Sequence, residues 1–170
     1  MKTLHISIFS YFLFIALIFM QTGASLFATT VNVATLIKEP PKSLFILQGK
    51  YTFNPDVFWN TFPTISLGVF VITLIICWKT PLRKWLLIGW LVGIAAAVVA
   101  IFLLGPVQSE FLATPYTDTF DPNLQKLGGI WFNYSVLFMC ISALSGLIMI
   151  YGLIKNLDFS VKRTPTDLLK

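Results

Sequence analysis

The sequence predicts an all-α membrane protein, a single bundle of four transmembrane helices with both termini cytoplasmic. Three observations carry that expectation. The 170 residues are 56% hydrophobic and only 11% charged, with a mean hydropathy of +0.82, whereas soluble domains carry roughly 25% charged residues. Four apolar runs, at about 6–30, 59–78, 82–104 and 130–154, each approach or exceed the roughly 20 residues that a helix needs to cross about 30 Å of hydrocarbon. Basic residues, finally, collect on alternate connections. Lys2, Lys79, Arg83, Lys84, Lys155, Lys162, Arg163 and Lys170 fall on one side, and Lys38, Lys42, Lys50 and Lys126 on the other. The richer side is cytoplasmic by the positive-inside rule.

The first run holds no Asp, Glu, Lys or Arg between Lys2 and Lys38. Met1-Lys2, the apolar core and Thr22-Gly23-Ala24 have the outline of a cleavable leader. Apolar character continues through Phe27, Val31, Val33 and Leu36, however, which predicts an uncleaved span long enough to tilt or to run on past the membrane surface. Lys38-Glu39-Pro40-Pro41 ends it, because consecutive prolines cannot continue a helix. Along it lie Gln21, Ser25, Thr29 and Asn32, which at helical spacing fall within about 80° of one another. A polar group left unpaired in hydrocarbon costs several kcal/mol, so this stripe faces a partner. It either supplies hydrogen bonds between helices or forms the wall of a pocket.

Spans two and three are joined by the tight Lys79–Lys84 turn and are expected to be antiparallel neighbours. The third span carries Gly89 and Gly93, the fourth Ser142 and Gly146, both pairs four residues apart. Small residues at that spacing let helix backbones approach closely. The two pairs are expected to fit each other within one chain; a homodimer formed across Gly89 and Gly93 is the alternative. Two longer loops, about 37–57 and 105–129, lie on the outer side. Tryptophans cluster where spans leave the membrane, as interfacial belts require. Of these, Trp59 and Trp131 stand beside the polar outer loops as candidate pocket walls.

Several chemistries are excluded by what the chain lacks. His5 is its single histidine, so paired-histidine haem ligation and histidine metal clusters cannot be built within one chain. Cys77 and Cys140 sit at different depths and read as small core hydrophobes. No glycine-rich phosphate loop appears, and no Asp, Glu, Lys or Arg lies mid-span, where proton pumps and most ion-coupled transporters need one. The formal charge of +5 sits at span ends, which points to bilayer orientation and not to nucleic acid. Glu110, just beyond the third span, reads as a solvated headgroup-level charge or, if partly buried, as a cation ligand or a base. Asp118, Asp121 and Asn123 share its loop without matching a calcium-loop spacing. No cofactor or metal is expected.

The layout is similar to that of the four-span family that includes the anthrone oxygenases. The similarity is carried by the four spans, the polar outer half of the first helix from Gln21-Thr22-Gly23 to Asn32, the Pro106-Val107-Gln108 break, and Leu124, Leu127 and Trp131 leading into the fourth span. The resemblance implies a cofactor-independent oxygenase acting on a hydrophobic aromatic substrate, with Glu110 as base and Gln21 or Asn32 holding an oxyanion. Family members often have His or Arg after the tryptophan, where this chain has Phe132, Asn133 and Tyr134. The residues themselves favour a different reading. They describe a multi-pass protein of the plasma or inner membrane that binds a lipid, a small hydrophobic molecule or a partner. Its outward-facing pocket is expected to comprise Gln21, Thr29, Asn32, Trp59, Gln108 and Trp131.

Overall fold

Each apolar run forms a helix, and three of the four helices outlast their runs. The computed structural model describes residues 2–47 and 56–162, with side-chain environments for 5–47 and 57–156. Of the basic residues counted above, Lys50, Arg163 and Lys170 lie outside the described residues, as do the side chains of Lys2 and Lys162. Helix α1 (Lys2–Phe27) continues through a π turn, Ala28–Val33, and a last α turn, Ala34–Leu36. Helix α2 is Asp56–Ile76. Helix α3 (Leu82–Val99) continues through a second π turn, Ala100–Leu104, into Gly105–Leu112. Helix α4 is Pro122–Lys162. Four stretches are long and apolar enough to cross a membrane: His5–Leu36, Val57–Ile76, Leu82–Leu112 and Pro122–Asn156. Among the described residues there is no strand.

The expected loop at 105–129 is therefore mostly helix, and the reason is local. Pro106 falls in the first turn after a π turn, where a missing N–H removes no needed hydrogen bond. Pro122 likewise opens α4, and the Asp121 side chain caps it by accepting the N–H groups of Asn123 (2.8 Å) and Leu124 (3.3 Å). A span of 32 residues is about 48 Å long, so α1, α3 and α4 stand beyond the shorter α2.

Those extensions pack into an apolar cluster at what we call the loop end, with Leu36, Leu44, Phe111, Leu124 and Trp131 buried. Leu44 arrives on a 3₁₀ helix, Lys42–Leu47. Main-chain carbonyls released where α1 ends are taken up here. Gln125 donates to those of Ile37 (3.3 Å) and Lys38 (3.2 Å), and Ser43 to that of Leu36.

At the opposite, turn end, α2 reverses into α3 around Cys77–Pro81. Its core contains Tyr11, Phe14, Phe70, Leu86 and Met149. Polar groups tie the helices together there. Ser10 and Thr73 share a hydrogen bond of 2.8 Å, Tyr11 donates to the Met149 carbonyl at 3.1 Å, and Ser145 donates to the Gly89 carbonyl at 2.7 Å. Bonds of this kind contribute about 0.6–1.7 kcal/mol each in a membrane bundle.

Helix α4 packs on α3 and α1, and α2 leans on α1. The expected match of two small-residue pairs divides in two. A Cβ on Gly89 would strike the Met149 side chain and approach the Ser145 carbonyl, so Gly89 brings α3 against α4. Gly146 faces α1 instead, where a Cβ would strike Phe19. Gly93 and Ser142 line a cavity. Cys140 is exposed, not a core residue, while Cys77 is buried.

Candidate functional site

Between the turn-end core and the loop-end cluster lies a cavity of about 500 Å³, lined by all four helices. That volume falls within the range of small-molecule sites, about 300–1,000 Å³. Helix α1 contributes Gln21, Ser25 and Thr29; α2 contributes Trp59, Pro63 and Ser66. Helix α3 presents the small residues Gly93, Ala96, Ala97 and Ala100, with Gln108 beyond them. Helix α4 adds Trp131, Ser135, Phe138, Ser142 and Ser145. The space exists because α3 offers four residues of one carbon or none on its facing side.

The floor is Trp90, backed by two phenylalanines of the turn-end core. Phe70 and Trp90 stack with ring centroids 3.9 Å apart, and Phe14 tilts against both at 5.6 and 6.2 Å. The roof is the buried Trp131, tilted against Phe111 at 5.3 Å and flanked by Val33 and Leu104.

Both π turns lie on this cavity. Ala28, Thr29 and Val33 come from the first, Ala100, Ile101 and Leu104 from the second. A π turn closes on residue i+5 and so holds an extra residue, and such turns recur at functional sites. The first also changes the expected stripe. Gln21, Ser25 and Thr29 face the cavity in α-helical phase, but the wider turn then carries Asn32 away and leaves Val33 on the lining.

Five of the six predicted pocket residues thus come together: Gln21, Thr29, Trp59, Gln108 and Trp131. Asn32 does not join them. Glu110 is exposed and lies outside the lining. Among the described residues no three His, Cys, Asp or Glu are grouped to hold a metal. The loop acids are otherwise engaged. Asp121 caps α4, and Asp118 accepts a 2.6 Å hydrogen bond from Tyr116, which raises the Tyr116 pKa.

Among the described residues the lining contains no ionisable side chain. Several of its hydroxyls are already committed to main-chain carbonyls: Ser25 to Gln21 (2.9 Å), Ser135 to Trp131 (3.0 Å) and Ser145 to Gly89. Ser66 differs. It is only 5% exposed, and its Oγ has no hydrogen-bond partner among the described residues. Sequence reasoning missed it, although one signal was there. Ser66 and Thr73 are seven apart on α2, as Ser135 and Ser142 are on α4, a spacing that puts each pair on one helix face.

Such a chamber can hold a neutral molecule by shape, aromatic contact and a few hydrogen bonds; it has no group poised to move a proton. The chain matches no protein-family profile, no curated protein and no solved structure.

Proposed function

We propose that this protein is a non-enzymatic, multi-pass membrane protein that holds a lipid or small hydrophobic molecule in its central cavity. The carrying observation is the chamber of about 500 Å³ bounded by Gln21, Thr29, Trp59, Gln108 and Trp131, with no ionisable lining group. Orientation with the turn end in the cytoplasm is supported by Lys79, Arg83, Lys84 and Lys155 at that end. There Arg83 lies 5.0 Å from the Trp78 ring and Lys155 5.8 Å from that of Trp85, an interfacial arrangement. A plasma or inner membrane fits this charge asymmetry. The anthrone-oxygenase-like alternative draws no support from Glu110, the only base it had, because that side chain is turned away from the chamber.

Native mass spectrometry of the protein extracted in mild detergent tests the reading. The wild type is expected to carry a bound small molecule or lipid that survives mild activation. Gly93→Leu, which fills the chamber, and Gln21→Leu, which removes its largest polar group on α1, are expected to reduce the bound fraction at least about tenfold and a few-fold respectively. Identical adducts on wild type and Gly93→Leu would show that the lipid sits elsewhere.

A further inference from the structure

Among the described residues lining the chamber, only Pro63, Ile94, Ala97 and Ile101 are exposed. All four stand on α2 and α3. Trp131 and Val33, at the roof, are 6% and 4% exposed. These two helices are joined by a tight turn, yet α2 packs on α1 and α3 on α4. They meet across the Phe70–Trp90 stack and part above it. The gap begins one turn beyond that stack, at Ser66 and Pro63 on one side and Ile94 and Ala97 on the other. Its exposed rim, Pro63, Ile94, Ala97 and Ile101, is apolar, with Ser66 buried behind it, and lies within Val57–Ile76 and Leu82–Leu112, two of the stretches apolar enough to cross a membrane.

We propose that the chamber is filled sideways from the bilayer through this α2–α3 gap, and that its occupant is an uncharged, largely apolar molecule bearing an oxygen that pairs with Ser66 Oγ. The inference rests on the pocket reading above and specifies its ligand class and route. Charge is excluded because nothing in the lining could neutralise it, and an unpaired charge in this setting is heavily penalised. A hydroxyl or carbonyl oxygen is favoured because Ser66, which lines the chamber at the inner side of the gap, has a buried Oγ with no partner among the described residues. Pro63, one turn towards the loop end, has no N–H to give to the Trp59 carbonyl, which loosens the helix beside the same gap. An oxygen on an apolar body would therefore meet a hydroxyl just inside the gap, while the body packs along the alanines of α3. With Trp131 and Val33 buried at the roof, the proposed route makes access depend on what the bilayer itself dissolves.

Tryptophan fluorescence of the whole chain in phosphatidylcholine vesicles reads this directly, since Trp59, Trp90 and Trp131 all line the chamber. The probes are a terminally brominated long-chain alcohol, the brominated alkane of equal length, and the matching quaternary ammonium. Saturable quenching is expected for the alcohol most strongly, for the alkane more weakly and not for the cation. Ser66→Ala should weaken the alcohol about fivefold and leave the alkane unchanged, with Ser66→Thr restoring the difference. Ala97→Phe, on the rim, should weaken alcohol and alkane alike by about tenfold. Equal effects of Ser66→Ala on both probes, or saturable quenching by the cation, would overturn the ligand class. Unchanged quenching in Ala97→Phe would overturn the sideways route while the pocket reading stands. Absence of any saturable quenching in the wild type would remove the pocket reading itself.

Discussion

The two halves of this bundle use the same residue types in opposite ways. Toward the turn end, hydroxyls reach across: Ser10 to Thr73, Tyr11 to Met149 and Ser145 to the Gly89 carbonyl all join different helices. Toward the loop end, hydroxyls within the spans fold back on their own helix: Thr22 to Ile18, Ser25 to Gln21 and Ser135 to Trp131. The first pattern draws backbones together; the second leaves them apart with a polar lining between. In lipid no water competes for these groups and no hydrophobic force gathers the helices, so packing and hydrogen bonding decide the matter. A serine in a span therefore does not mark a site by itself. What matters is whether its hydrogen bond leaves the helix.

Removing side chains of equal kind from the two halves should expose the difference most clearly at the aromatics. Phe14 is fully buried against the stacked Phe70 and Trp90, so Phe14→Ala opens a void that its neighbours cannot fill. We expect a loss of about 3 kcal/mol, the low end of the soluble-protein range, because the water-transfer contribution is missing in a membrane. Phe138 borders the existing chamber, and Phe138→Ala merely enlarges it, with a loss of under about half that. Reversible unfolding in mixed detergent micelles measures both. Equal losses would mean that the chamber is packed as tightly as the core below it.

The glycines one turn apart on α3 sharpen the same boundary with a smaller effect. Gly89→Ala pushes a methyl into Met149 and toward the Ser145 carbonyl, and should cost about 1–3 kcal/mol in the same assay. Gly93→Ala meets only Ser145 Oγ, at 3.6 Å. Relief of glycine's helix penalty, about 1 kcal/mol, then makes that variant neutral or more stable. A destabilised Gly93→Ala would place the boundary between tight and open packing one turn nearer the loop end.

Much of this was legible in the sequence, and the parts that were not have definite physical reasons. Hydropathy locates all four spans because in lipid the backbone must bond within its own helix, so a long apolar run has one outcome. Helical phase points Gln21 and Thr29 to the cavity, and position beside the polar outer loops points to Trp59 and Trp131. Asn32 departs from that phase because it lies within a π turn, Ala28–Val33, that no residue pattern announces. Helix ends were read too short at 104 and 130 because Pro106 and Pro122 look like breaks, whereas each sits in a first turn that tolerates proline. Glu110 drew attention as the only acid near a span end, yet its position on the exposed side of Gly105–Leu112 depends on winding through the second π turn. Ser66 was overlooked because a lone hydroxyl in an apolar helix usually bonds its own backbone. Only the structure reveals that this one does not.

Ser66 and Thr73 provide the finest test, since they occupy the same face of α2 on opposite sides of the boundary and are both buried. Thr73 is bonded twice across to α1, sharing a hydrogen with Ser10 and lying 3.3 Å from the Ser10 carbonyl. Thr73→Val keeps the shape and removes those bonds, leaving the Ser10 side unsatisfied; a loss of about 1 kcal/mol is expected. Ser66→Ala removes a hydroxyl that has no partner, so the empty protein should lose nothing measurable and could only gain from burying a methyl in its place. Ligand-free protein, unfolded in parallel for the two variants, gives the comparison. Should Ser66→Ala destabilise as much as Thr73→Val, then Ser66 acts as another tie between helices, and the open half would be held together by the same means as the closed one.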